Sequence, residues 1–299
     1  MTDAAPPPAP TGATGSPRPV EDPSAPFHRV RSRHRFTARE AVVTAVSRPV
    51  DAFVRVTLSG PDFDDFASTG PADHVRVFFP HPVTGELVAP RAVGAGEEGI
   101  VRPEAPMFAR DFTPLHPRLD EATGQRAIDL DILRHVDPGP AASWGEEAEV
   151  GDRLVIVGPR GSQSAPQNAE RAVLVVDGTA LPSATRWLAE LPATTAVEVI
   201  ADVPGDLTWV ETYLRQESGR DDFELLPAGG DLGDSLEMVG TDAETFVFAA
   251  GEASRLIPLR RMLRYTLALP REQYALSGYW KRGMVGFDHH EPIDASDPD

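Results

Sequence analysis

The stretch 171–191, RAVLVVDGTALPSATRWLAEL, decides the architecture. Its first seven residues form a continuous apolar run ending at Asp177, Gly178 and Thr179. The rest carries apolar residues at helical spacing, with Pro182 in an opening turn whose N–H groups need no intrahelical partner. A strand apolar on both faces that feeds at once into a helix is the unit of a covered parallel sheet. The unit recurs downstream. AVEVIADV (196–203) precedes LTWVETYLRQ (207–216), and DFELLPAG (222–229) follows. TFVFAAGEA (245–253) precedes SRLIPLRRMLRYTLAL (254–269), where Pro258 lies within the first turn, and QYALSGYW (273–280) closes the series.

Upstream the rhythm changes. RFTAREAVVTAV (35–46), AFVRVTLSG (52–60), DHVRVFFP (73–80), MFARDFTPL (107–115), RAIDLDIL (126–133) and DRLVIVG (152–158) are rich in β-branched and aromatic residues with Gly, Pro and Asp between them. Six such strands with one short helical stretch (141–149) predict a closed antiparallel barrel. The breaker-rich segment 81–106 reads as a surface hairpin with a loop. The expected organisation is a disordered Pro/Ala-rich tail at 1–26, a β-barrel domain at 27–162, an α/β domain at 163–287 and an acidic disordered tail at 288–299.

The chain has 299 residues, a net charge of −18 and no cysteine. The charge argues against nucleic acid and against stable association with anionic membranes. Lack of cysteine excludes disulfides, thiolate metal sites and a Cys nucleophile. No apolar run approaches the roughly 20 residues of a membrane span, and the N-terminus does not read as a signal peptide. A cytoplasmic monomer is expected. So is the absence of a resident metal: His289 and His290 read as an incidental pair, since adjacent residues do not share a helix face.

Five segments carry candidate chemistry. On the strand around ARDFTP, Arg110 and Phe112 share a face, so a phosphate-binding guanidinium sits beside a ring able to stack on a heterocycle, with the Thr113 hydroxyl next to them. The alternative is a core Phe and a solvated Arg. In GPAASWG (139–145), Ala141, Ala142 and Ser143 open a helix without bulky side chains, an anion site by its free N–H groups, with Trp144 as a shield and His135 just upstream. The alternative is a plain Pro-initiated helix. DGTALPS (177–183) and AAGEAS (249–254) end parallel strands where open α/β sheets bind nucleotides, or are ordinary β–α turns. SGYWKRG (277–283) offers two aromatics beside Lys281 and Arg282, a stacking platform or a hydrophobic end cap. Asp202, at the end of the second parallel strand, can accept a ribose hydroxyl and favour NADH.

Taken in order, RDFTP, DLDILRH, GPAASWG…GDRLVIVGPRGS, DGTALPS, AAGEAS and SGYWKRG closely resemble the siderophore-interacting proteins, flavin-dependent ferric-siderophore reductases of the ferredoxin–NADP reductase superfamily. The resemblance covers roughly residues 27–287. It implies an FAD-binding barrel followed by an NAD(P)H-binding α/β domain, with NADPH or NADH as electron donor and a ferric siderophore as substrate. The flavin set it implies is Arg110, Asp111, Phe112, Thr113, Asp131, Ile132, Leu133, His135, Ala141, Ala142, Ser143, Trp144, Tyr279 and Trp280. The nucleotide set is Asp177, Thr179, Leu181, Pro182, Gly251, Glu252 and Ala253. Lys281, Arg282, Arg118 and Arg76 are the cations expected to attract an anionic chelate. The family usually carries an acidic residue where Gly178 stands, a basic one near Leu115 and His116, and an alanine at Gly145. A flavin reductase with a protein or other acceptor, and a non-enzymatic flavin or siderophore carrier, remain as alternatives.

Overall fold

The computed structural model describes residues 22–120, 124–135 and 138–298. Residues 1–21, most of the expected N-terminal tail, lie outside them. Seven strands build the first sheet: β1 (Ala38–Ser47), β2 (Phe53–Ser59), β3 (Val75–Phe79), β4 (Phe108–Phe112), β5 (Leu115–Leu119), β6 (Arg126–Leu133) and, after helix α1 (Pro140–Glu147), β7 (Arg153–Val157). Their order is β4-β3-β7-β1-β2-β6-β5, antiparallel throughout. The two edge strands, β4 and β5, are separated in sequence only by Thr113 and Pro114. That connection spans at most about 11 Å, so the sheet has to curl until its edges approach one another there. The expected barrel thus has seven strands rather than six. The extra one, β5, was hidden by Pro117 and by His116, whose φ of 47° interrupts the pairing register between Leu115 and Arg118. An edge strand tolerates such a proline because one row of its N–H groups is unpaired.

The breaker-rich segment forms a small antiparallel hairpin, Arg91–Ala92 against Ile100–Val101. The barrel interior is filled by alternate, inward-facing residues along its strands, among them Val56, Leu58, Val77, Phe79, Leu130 and Ile156.

The second sheet comprises β8 (Arg171–Asp177), β9 (Ala196–Asp202), β10 (Phe223–Pro227), β11 (Thr245–Glu252) and β12 (Tyr274–Trp280). All pairs are parallel and the order is β10-β9-β8-β11-β12. Helices α2 (Leu181–Glu190) and α3 (Thr208–Ser218) pack on one face, where Leu174 and Val176 meet Trp187 and Tyr213. Helices α4 (Leu232–Val239) and α5 (Ala253–Arg261) cover the other, where Val173 and Val175 meet Leu236 and Leu259. Helix α4 was not anticipated. It is short, and its start is fixed by Asp231, which accepts from the Gly233 and Asp234 N–H groups. Strand order reverses between β8 and β11, which places a ligand crevice at their carboxyl ends.

The C-terminal segment, expected to be a disordered acidic tail, is docked over its described residues 288–298. Asp294 is buried and accepts from Arg261, and Asp297 accepts from Arg260 and the Tyr265 hydroxyl. The basic last turn of α5 supplies counter-ions to an acidic segment that composition alone marks as free. Among the described residues, no helix is long and apolar enough to cross a membrane.

Candidate functional site

The two sheets meet at the Thr113–Pro114 connection. From α2, Arg186 donates to the Pro114 carbonyl at 3.1 Å and to the Ser68 hydroxyl at 2.8 Å, while Ser183 donates to the Pro71 carbonyl at 2.8 Å. From β12, half-buried Tyr279 lies beside Ser183 and Thr113. Burial is the main influence that pushes its pKa above the ordinary tyrosine value. The curl of the barrel and the end of the parallel sheet are thereby held at one place.

On β4, alternation sends Arg110 and Phe112 to one face and Asp111 to the other. Phe112 lies 5.9 Å from Phe79, and Trp144 meets the same Phe79 edge-on at 5.1 Å. Trp144 is half-buried, and Phe79 is the shared neighbour that joins α1 to β4. Helix α1 presses onto β6 at Gly145, where a Cβ would stand 3.0 Å from the Ile132 side chain. Ala141 and Ile132 are buried in the barrel core, Ala142 packs beside them, Ser143 is half-buried, and His135 is exposed. Arg110 is half-buried over the Phe108 ring and donates only to its neighbour's carbonyl, Ala109, at 2.7 Å. Burial first, then the nearby Arg76, lowers its pKa. Among the described residues it has no carboxylate partner. A half-buried guanidinium without a counter-ion, on the face of Phe112, fits an anionic, aromatic ligand.

Two predicted residues are committed elsewhere. Asp131 is buried and accepts two bonds from Arg55, both at 2.7 Å, and a third from the Tyr213 hydroxyl at 2.6 Å. Its carboxylate joins the barrel to α3 and is not free for a flavin. Arg118 forks onto Asp129 at 2.8 and 3.0 Å, so its charge is neutralised rather than offered to a chelate. Burial opposes ionisation of Asp129, but bonds from His116, Arg118 and Thr57 outweigh it and hold the carboxyl at about 2. His116 also faces Glu217 of α3, which binds Arg55, so one ionic network runs across the two sheets.

At the carboxyl ends of β8, β11 and β12, the predicted nucleotide residues form a hub around Asp177. Its Oδ1 accepts from the Thr179 N–H and hydroxyl (2.8 and 2.6 Å) and from the Ala180 N–H (3.2 Å). Its Oδ2 accepts from the Glu252 N–H (3.0 Å) and the Trp280 indole (2.7 Å). Burial raises the Asp177 pKa, with Thr179 and Trp280 opposing. Gly251, at φ 148°, is required here because a Cβ would stand 2.6 Å from the Asp177 carboxyl carbon. Glu252 caps α5 through the Arg255 N–H and accepts from the Arg282 N–H. Leu181, Pro182 and Ala253 are buried at the starts of α2 and α5. Gly178 lets its turn press on Leu133 of the barrel, since a Cβ would come within 3.0 Å of that side chain.

Beside this hub a crevice is lined by Asp177, Asp202, Gly251, Glu252 and Arg255. Asp202, read as a ribose acceptor, is instead gripped by Arg255 through two bonds of 2.8 and 2.9 Å. Sequence reading missed Arg255, the third residue of α5, because its approach to Asp202 depends on two strand ends meeting in the fold. The side chains of Lys281 and Arg282 have no carboxylate partner among the described residues, whereas Arg76 sits 3.3 Å from Asp111.

Residues 42–163 match the family model of the siderophore-interacting FAD-binding domain, and residues 169–283 match that of the siderophore-interacting protein. The crystal structure of a siderophore utilization protein from T. fusca superposes with a TM-score of 0.71 at 32% identity, covering 88% of this chain and 100% of that one. This chain belongs to the siderophore-interacting protein family. Similar curated proteins include the NADPH-dependent ferric-chelate reductase of Escherichia coli, 40% identical over 164 residues, which are 54% of this chain and 60% of that protein. The ferric vibriobactin reductase ViuB of Vibrio cholerae is 26% identical over 243 residues, 80% of this chain and 87% of that protein. In this siderophore-interacting protein, FAD is the cofactor of the N-terminal domain. The uncompensated Arg110 beside Phe112, with the open start of α1, fits that dinucleotide.

Proposed function

We propose that this siderophore-interacting protein is a cytoplasmic, monomeric ferric-siderophore reductase that uses FAD and takes its electrons from a nicotinamide nucleotide, with NADPH preferred over NADH. The observation that carries the reading is the joint at Thr113–Pro114, where Arg186 of α2 binds the Pro114 carbonyl and Tyr279 of β12 lies beside Thr113, at the edge turn that follows Arg110 and Phe112. Such a joint sets a nicotinamide donor site and a flavin site against one another. Bound FAD supplies the conversion between a two-electron hydride donor and the one-electron step that iron takes.

The chain's own residues position the reactants. Arg110 holds phosphate charge, Phe112 and Tyr279 bound the ring site, and the α1 N-terminus offers N–H groups to a pyrophosphate. Asp177 keeps Thr179, the β11 turn and Trp280 in fixed relation. Arg255, in the first turn of α5 and paired with Asp202 at the end of β9, is the cation a 2′-phosphate requires, and the Escherichia coli relative is named as NADPH-dependent. Lys281 and Arg282 offer local positive charge to an anionic chelate despite the net charge of −18. Reduction of the chelated substrate to Fe(II) weakens its hold on hydroxamate or catecholate oxygens and releases it.

The test is anaerobic mixing of the FAD-loaded protein with NADPH, followed by a ferric siderophore and a chromogenic Fe(II) trap. Flavin bleaching followed by trapped Fe(II) is expected. Bleaching without Fe(II) would indicate a different acceptor, and no bleaching would indicate a carrier.

A further inference from the structure

Histidines 289 and 290 gain a meaning that their sequence neighbourhood hides. The docked C-terminal segment carries them to His74, the residue preceding β3. Ring centroids of His74 and His289 are 4.1 Å apart, and those of His289 and His290 are 3.9 Å apart. Each of the three offers a ring nitrogen, and these nitrogens lie within 4.8 Å of one another.

His289 is the informative member. Its Nδ1 lies 3.0 Å from Asp111 Oδ2, while its Nε2 is buried with no hydrogen-bond partner. An orphaned buried ring nitrogen is costly. An imidazole with one nitrogen anchored on a carboxylate and the other free has the arrangement of a metal-bound histidine, in which the carboxylate fixes the tautomer and raises ligand basicity. Asp111 is therefore not a flavin contact through its side chain. It points to the face of β4 opposite Arg110 and Phe112, towards His289 and Arg76.

We propose that His74, His289 and His290 bind one divalent late first-row transition-metal ion, with Asp111 orienting His289 from outside the coordination shell. Three imidazoles without an inner carboxylate select Zn²⁺, Ni²⁺ or Cu²⁺ over Mg²⁺ or Ca²⁺. Zn–N bonds of about 2.0–2.1 Å place tetrahedral ligand nitrogens about 3.4 Å apart, so the rings close by roughly 1 Å on binding, and exposed His290 has the freedom to swing. The fourth position stays open to water. Bound metal pins the C-terminal segment to the barrel, behind the strand that carries Arg110 and Phe112. This assignment is independent of the reductase reading.

The experiment uses untagged, full-length, FAD-loaded protein stripped with a chelator, titrated with Zn²⁺ by calorimetry and with Co²⁺ by visible absorption. One Zn²⁺ per chain and the intense visible bands of tetrahedral Co²⁺ are expected. His290→Ala should weaken Zn²⁺ at least 10-fold while retaining its flavin, which reports that the fold is intact. Asp111→Asn should weaken it about 10–100-fold, as outer-shell losses do. Zn²⁺ should raise the thermal midpoint of the parent and not of a variant with all three histidines replaced by alanine. The assignment is overturned if the parent binds no more Zn²⁺ than that triple variant, or if His290→Ala binds as tightly as the parent.

Discussion

At the scale of single residues, charge without a counter-ion separates ligand-facing groups from structural ones. Arg110 is half-buried and unmatched by any carboxylate among the described residues, which is the ground for proposing it as the phosphate contact. Removing a charge-assisted contact costs about 1.5–3 kcal/mol, so Arg110→Ala should weaken FAD roughly 10–100-fold in a fluorescence titration of the apoprotein. Its circular dichroism should remain that of the parent. Arg255 is held by Asp202, yet its side chain is 37% exposed and lies beside the crevice. Arg255→Ala should raise the Michaelis constant for NADPH about 10-fold or more and leave that for NADH nearly unchanged, because only NADPH carries the 2′-phosphate. Equal losses for both nucleotides in steady-state assays would place the phosphate elsewhere.

Among elements, α3 and strands β2, β5 and β6 are locked by the network Arg118–Asp129–His116–Glu217–Arg55–Asp131, with the Phe53 and Tyr213 rings tilted against one another at 4.7 Å beside it. Acid should loosen this joint. The Asp129 carboxyl is held at about 2, below its ordinary 3.8. Its ionised form therefore stabilises the fold above pH ~4, and that contribution, about 2 kcal/mol, is lost as pH falls from ~4 towards ~2. Asp129→Asn should be less stable than the parent near neutral pH, and the difference should vanish at the acid end of a urea-denaturation series. The same logic explains why β5 escaped sequence reading. Its Pro117 and left-handed His116 break local periodicity, and the strand persists through its pairing with β6 and the ion pair of Arg118.

At the scale of the whole molecule, a net charge of −18 repels an anionic ferric chelate, so recruitment depends on cations that are not already paired. Of the four expected, Arg118 and Arg76 face carboxylates, leaving Lys281 and Arg282. Replacing both with alanine should raise the Michaelis constant for an anionic chelate and spare a neutral one. Added salt should narrow the difference, since exposed charges are screened over about 10 Å at 0.1 M. Reductive half-reaction kinetics without iron separate this effect from any loss of nucleotide binding.

The sequence by itself determined the two architectures, because strand and helix periodicities are local. Runs such as RAVLVVDG and RAIDLDIL specify which faces are buried whatever their partners. It also determined the order of the motif segments and the pairing of Arg110 with Phe112 on one face, which needs only the two-residue repeat of a strand. Tertiary structure alone decided where the charges go. Asp131 went to Arg55 and Tyr213, Asp202 to Arg255, Arg118 to Asp129, and His289 and His290 to a histidine more than two hundred positions earlier. Ion pairing and ligand convergence depend on which distant segments meet when the sheet curls and the chain end docks. Burial of apolar surface drives those meetings, and the polar side chains accept whichever partners it delivers.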